Sequence, residues 1–258
     1  MSEENINANR RIIPGVVSIS FRDKSAERII EEAKACGLMA IEWGSDVHAP
    51  ANRPERVAEI AALTKAAGLV CCSYGTYLKI GQFAEADLRL HIEAAKRLGT
   101  NILRLWAGDK DFEAYTPEET EAFFGECRKL ARIAEDENVI LCMECHNHTF
   151  TSRLEGALSL MRAVRSEAFR MYWQPNQFRT AEENLEYAKA IAPYTRHIHV
   201  FNWEGTERYP LAGAKALWKA YFSKFSGTHC ALLEFMPDNA ADAFERESRT
   251  LIKWTEEL

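Results

Sequence analysis

Gly37, Gly68 and Gly99 stand 31 residues apart, and each closes an Ala- and Lys-rich stretch: EEAKACG, LTKAAG and EAAKRLG. Glycine readily takes the left-handed conformation that ends a helix, so each marks the end of a helical segment. A short apolar run follows every one of them: LMAIEWG, LVCCSYG and NILRLWAG in turn. The alternation continues through NVILCMECH, FRMYWQP, RHIHVFNW and HCALLEFM, and GVVSISF precedes it. These are eight strand candidates, beginning near residues 15, 38, 69, 101, 138, 169, 196 and 229. Helix starts are legible between them. TPEE at Thr116–Glu119 and TAEE at Thr180–Glu183 are capping boxes, the first with proline at its first helical position. Eight strand–helix units of about 32 residues predict an α/β protein, a single-domain (β/α)8 TIM barrel over residues 13–258 behind a polar tail, 1–12. A doubly wound open sheet is the alternative. It would carry a GxGxxG turn after an early strand, and the sequence has none.

A net charge of −6 leaves no basic face for nucleic acid or an anionic membrane surface. No run approaches the ~18 apolar residues of a membrane span. The first eleven residues, MSEENINANRR, lack an apolar h-region, so a cytoplasmic location is expected. The seven cysteines include four within apolar runs (Cys71, Cys72, Cys142, Cys230), and Cys71–Cys72 has no zinc-ligand spacing. Buried, reduced thiols are expected.

Barrel strands alternate between the interior and an exterior that must be apolar because helices cover it. In RHIHVFN, Ile198 and Val200 therefore go outward, and His197, His199 and Phe201 inward. Leu141 and Met143 go outward, leaving Cys142, Glu144 and His146 inside. Met171 and Trp173 go outward, leaving Tyr172 and Gln174. Leu233 and Phe235 go outward, leaving Leu232, Glu234 and Met236. Glu42 and Arg104 come out inward by the same rule. All these polar residues fall at the C-terminal ends of their strands, where active sites of such barrels lie.

Strands 5 to 8 are consecutive, so Glu144, Gln174, His199 and Glu234 should converge. Two buried carboxylates in one space repel unless a cation sits between them. Three oxygen donors and one nitrogen around a point form a set for a divalent metal ion: Mn2+, Mg2+, Co2+ or Zn2+.

At AIEWGSDVH, LCMECHNHTFT, HIHVFNW and LLEFMPDN the sequence resembles the xylose isomerase-like TIM-barrel superfamily, within it the sugar isomerase/epimerase group of ketose 3-epimerases and hydroxypyruvate isomerases. The resemblance covers essentially the whole chain. It implies a metal held by Glu144, Gln174, His199 and Glu234, with Gln174 standing where the family pattern has aspartate. Three more positions depart from the epimerase pattern: Gln177 in place of a histidine, Phe150 in place of an acid, and Gly205 in place of an arginine, with Arg208 nearby.

The chemistry suited to this set is proton transfer next to a carbonyl, with Glu144 and Glu234 as the acid/base pair. Return of the proton to the adjacent carbon isomerises a sugar or sugar acid; return to the opposite face epimerises it. Around the pair, Glu42, Trp43, His48, Arg104, Trp106, His146, Gln177, Trp203 and Arg208 are the expected substrate-binding residues. The tryptophans suit sugar C–H faces, and Arg104 and Arg208 suit a carboxylate. A lyase or decarboxylase of a keto sugar acid, or a non-catalytic sugar-binding barrel, are the alternatives; a phosphodiesterase like endonuclease IV would need a basic face and more metal ligands. By analogy a homo-oligomer, dimer or tetramer, is expected.

Overall fold

The helix ends read from glycine spacing are all built alike. In the computed structural model, which describes residues 12–237 and 241–257, Gly37, Gly68 and Gly99 adopt φ of 81°, 80° and 84°, a region that a Cβ disfavours. One residue on, Leu38 N–H reaches back to Ala33 O at 3.0 Å, Leu69 to Thr64 at 3.1 Å and Thr100 to Ala95 at 3.1 Å. These bonds satisfy carbonyls that a helix end leaves open and turn the chain into the next strand.

The strands so delivered are β1 (Ile12–Val17), β2 (Ala40–Gly44), β3 (Val70–Lys79), β4 (Ile102–Trp106), β5 (Ile140–Glu144), β6 (Phe169–Trp173), β7 (Thr195–Val200) and β8 (His229–Leu233). Each pairs in parallel with the next and β8 closes on β1, forming one barrel. Around it run α1 (Ala26–Ala35), α2 (Pro54–Ala66), α3 (Glu85–Leu98), α4 (Pro117–Glu137), α5 (Leu154–Val164), α6 (Ala181–Ile191), α7 (Lys215–Phe222) and α8 (Ala241–Glu256). Both expected capping boxes form: Thr116 and Thr180 accept from the N–H of Glu119 and Glu183, whose carboxylates accept from the threonine N–H. The chain is described from Ile12, in β1; the rest of the expected tail lies outside the described residues. No described helix is long and apolar enough to cross a membrane.

A parallel sheet under helices is buried on both faces, and the side chains sort accordingly. Leu141, Met143, Met171, Trp173, Ile198, Val200 and Leu233 pack in the outer core, whereas Cys142, Tyr172 and Leu232 fill the interior. Between β2 and β3 the register slips, Ile41 facing Cys71 and Glu42 facing Ser73. The extra residue lets β3 send two consecutive side chains, Cys72 and Ser73, inward.

The expected alternation fails just past β8. Phe235 was expected outward and Met236 inward, but Phe235 turns toward the barrel mouth and Met236 packs in the outer core. With the ladder ended at Leu233, Phe235 takes φ of 43°, and its N–H donates to Ser20 Oγ at 2.9 Å.

Candidate metal centre

Glu144 ends β5, Gln174 follows β6, His199 lies within β7 and Glu234 follows β8. Four adjacent strands thus carry these side chains to one spot. His199 Nδ1 lies 2.8 Å from Gln174 Oε1, 3.4 Å from Glu144 Oε1 and 3.5 Å from Glu234 Oε2. Neighbouring ligands held to one ion by bonds of about 2.0–2.2 Å stand roughly 3 Å apart, so the spacing suits a shared cation. The donor atoms of Glu144, His199 and Glu234 all lie within 4.8 Å of one another, and all three residues are buried. The other ring nitrogen, Nε2, has no hydrogen-bond partner and faces Glu42 Oε1 at 3.6 Å. A proton held there leaves the Nδ1 lone pair for a metal, with Glu42 as the carboxylate behind the histidine.

The charges agree with this. Glu42, Glu144 and Glu234 bring three potential negative charges, and Arg104 is the guanidinium among them. Its Nε donates to Glu42 Oε1 at 2.9 Å, and its Nη1 donates to Glu144 Oε2. The remaining charge of two is what a divalent cation neutralises. Among the side chains themselves, protons can take that part. Burial works to lower the His199 pKa, but the carboxylates of Glu234, Glu144 and Glu42 outweigh it and hold it up at about 10. Burial likewise opposes ionisation of Glu144, yet Arg104 and His199 keep its carboxyl well below the usual range. Glu42 is held low against burial by Arg104, His199 and Ser73, whose Oγ donates to it at 2.7 Å. Glu234 goes the other way: burial, with the charges of Glu144 and Glu42, outweighs His199 and Arg104 and pushes it up. Two acids in one site are driven apart in proton affinity.

Packing holds Arg104 in place. A Cβ on Gly75 would stand 2.6 Å from Glu42 Oε1 and 2.8 Å from Arg104 Nη2, so only glycine on β3 leaves room for the pair. Trp106 Nε1 donates to Glu144 Oε2 at 2.5 Å, and its ring stacks on His146 with centroids 4.9 Å apart. Above the four donors opens a cavity of ≈180 Å³. Aromatic side chains of Tyr77, Trp106, Phe201, Trp203 and Phe235 share its walls with polar and charged groups.

The profile of the xylose isomerase-like TIM barrel matches residues 30–253. The chain belongs to that family. No curated protein matches it in sequence. Among solved structures, this xylose isomerase-like barrel is similar to a probable 3-DHS dehydratase of Bacillus anthracis, AsbF, involved in petrobactin synthesis (TM-score 0.76, 18% identity, covering 93% of this chain and 98% of that one). It is also similar to the 3-keto-D-glucoside 4-epimerase YcjR of E. coli (0.71, 15%, 97% and 100%). A third is a xylose isomerase-like TIM barrel protein of Mycobacterium smegmatis in complex with magnesium (0.72, 13%, 96% and 97%). At these identities the likeness is one of fold.

Of the residues expected at the site of this xylose isomerase-like barrel, Arg104, Trp106, His146, Gln177 and Trp203 line the cavity beside Glu144, Gln174 and Glu234. Three expectations, for Glu42, Trp43 and His48, are corrected, and Arg208 stands outside the lining. Glu42 lies beneath the cavity, fully buried behind His199 and Arg104, and is a buried partner of those two rather than a substrate contact. Trp43 points into the outer core, where its Nε1 donates to Thr64 Oγ1 at 3.1 Å, because its neighbour Glu42 takes the inward position. His48 is buried with Nε2 3.2 Å from both Phe21 O and Lys24 O, tying two loops together. Arg208 is exposed at the rim, its guanidinium over the Trp203 and Phe235 rings at 5.0 and 5.1 Å. Sequence reasoning missed Arg22, Tyr77, Asn147 and Phe235 in the lining. Arg22 follows β1 and Asn147 and Phe235 lie past their strand ends, so alternation carries no signal for them; Tyr77 lies in β3 where that strand runs on past LVCCSYG, the apolar run from which it was expected.

Proposed function

We propose that the protein is a divalent-metal-dependent enzyme that moves a proton on the carbon next to a carbonyl of a small sugar or sugar acid, as an isomerase or epimerase. The observation that carries this reading is the convergence of Glu144, Gln174 and Glu234 on His199 Nδ1 beneath a cavity partly walled by aromatic side chains. Glu144, Gln174, His199 and Glu234 would hold the cation; three oxygens and one nitrogen favour Mn2+ or Mg2+ over a soft metal, with Co2+ and Zn2+ next. Bound there, the ion supplies Lewis-acid polarisation of a carbonyl and stabilisation of developing negative charge. The rest is the work of the chain. Arg104 and Trp106 fix Glu144 as an oriented carboxylate. Glu234 lacks such a clamp and has the higher proton affinity, which suits it to taking up and returning the substrate proton. The aromatic side chains in the walls offer flat faces to C–H groups.

A second reading, elimination from a keto acid, starts with the same proton abstraction. It is favoured by Arg104, a guanidinium in the cavity lining whose charge would attract a substrate carboxylate.

The test is solvent deuterium incorporation into a panel of keto sugars and keto sugar acids by Mn2+-loaded protein. Exchange without net loss of water supports isomerisation or epimerisation; exchange with dehydration supports the second reading. Glu234→Gln is expected to lower exchange by about 10²–10⁴ while circular dichroism stays unchanged. Loaded protein that exchanges no member of the panel would defeat both.

A further inference from the structure

A second group of soft donors lies at the other end of the barrel. Cys72 on β3, His197 on β7 and Cys230 on β8 bring two sulfurs and an imidazole nitrogen within 4.8 Å of one another. They line a cavity of ≈670 Å³, separate from the carboxylate centre. Both cysteines are free thiols.

The imidazole bridges the two cysteine backbones. Its Nδ1 accepts from Cys230 N–H at 3.1 Å, which puts the ring proton on Nε2, and Nε2–H donates to Cys72 O at 3.2 Å. Both nitrogens are therefore committed, and His197 is a bracket rather than a ligand. It holds two strands that are not neighbours, since β1 and β2 lie between β3 and β8, so that their sulfurs face each other through the interior. Cys71 takes no part because its side chain packs in the outer core.

We infer that Cys72 and Cys230 form a two-sulfur binding site for one soft monovalent cation of the Cu(I) class. Metal–sulfur bonds of about 2.3 Å let one ion span two sulfurs up to about 4.6 Å apart, close to the 4.8 Å within which these donors lie, whereas a disulfide would need about 2.05 Å. Thiolates select Cu(I) among biological cations, and a divalent ion such as zinc would want four donors where only two are free. Binding releases the two thiol protons to solvent and changes no oxidation state. The complex then carries one negative charge, and Arg196, lining the same cavity with its Nε buried and unpartnered, supplies the counter-charge.

The experiment is an anaerobic Cu(I) titration of the reduced protein against a chromophoric chelator. One tightly held equivalent is expected, weakened at least 100-fold in both Cys72→Ser and Cys230→Ser and unchanged in Cys36→Ser. X-ray absorption of the loaded wild type, which needs no variant to fold, should show two sulfur neighbours and no imidazole. Loading should also protect Cys72 and Cys230 from alkylation, read by peptide mapping. Wild-type affinity in both serine variants, a loss equal to theirs in Cys36→Ser, or an imidazole in the absorption spectrum overturns the site.

Discussion

Gln174 places a neutral amide oxygen 2.8 Å from His199 Nδ1, where an aspartate would bring a charge. The donor set then has two carboxylates, and the third acid of the region, Glu42, sits on the far side of the imidazole against Arg104. A carboxylate there would bind the cation directly with a full charge where the amide offers only a dipole, and affinity for a hard cation rises with the number of charged ligands. Gln174→Asp is therefore expected to tighten Mn2+ by at least about tenfold, roughly 1.4 kcal/mol, measured by calorimetry; equal or weaker binding would remove Gln174 from the ligand set. Gly75 acts through space alone. Gly75→Ala drives a methyl into Glu42 and Arg104, an overpacking that costs about 1–3 kcal/mol in urea unfolding and moves the arginine that clamps Glu144. Phe150, where the family pattern has an acid, is fully buried against Phe112, Tyr115, Phe123 and Phe124 with centroids 4.8–5.6 Å away. That segment has become helix-layer core, which explains why the cavity lacks an acid there.

At the level of elements, the loops after β1 and β2 are joined by His48, whose Nε2 reaches the carbonyls of Phe21 and Lys24. Burial lowers its pKa, and the two carbonyls only partly counter this. The unfolded chain therefore binds this proton first, near pH 6.5. The stabilisation is full above that pH and is lost as pH falls toward the folded value, with a slope of at most about 1.4 kcal/mol per pH unit. Urea unfolding between pH 7.5 and 5 should show a shallower decline in His48→Gln than in the parent; identical slopes would mean His48 titrates alike in both states. The expectation that His48 contacts substrate rested on its place after Glu42. Loop direction depends on such cross-loop bonds, which no local pattern encodes.

For the whole molecule, a cation bound only by the closed barrel stabilises it by mass action. At a hundredfold excess over the dissociation constant the gain is about 2.7 kcal/mol, or roughly 5–10 °C in Tm for a chain of this length. Mn2+ should raise the melting temperature by that amount and EDTA should reverse it; a Tm indifferent to every divalent ion tried would leave the four donors without their cation. Strand number, the first three helix ends and the inward set Glu144, Gln174, His199 and Glu234 were legible in the linear chain because they follow from periods: a glycine cap every 31 residues at Gly37, Gly68 and Gly99, and one inward side chain in every two along a covered strand. That Glu42 stands behind His199, that Arg104 ties Glu42 to Glu144, that Phe235 turns back over the cavity and that Cys72 meets Cys230 were settled only by barrel closure. Closure brings together residues far apart in sequence, and the bulge in β3 and the left-handed turn at Phe235 break the very periodicity from which sequence reasoning proceeds.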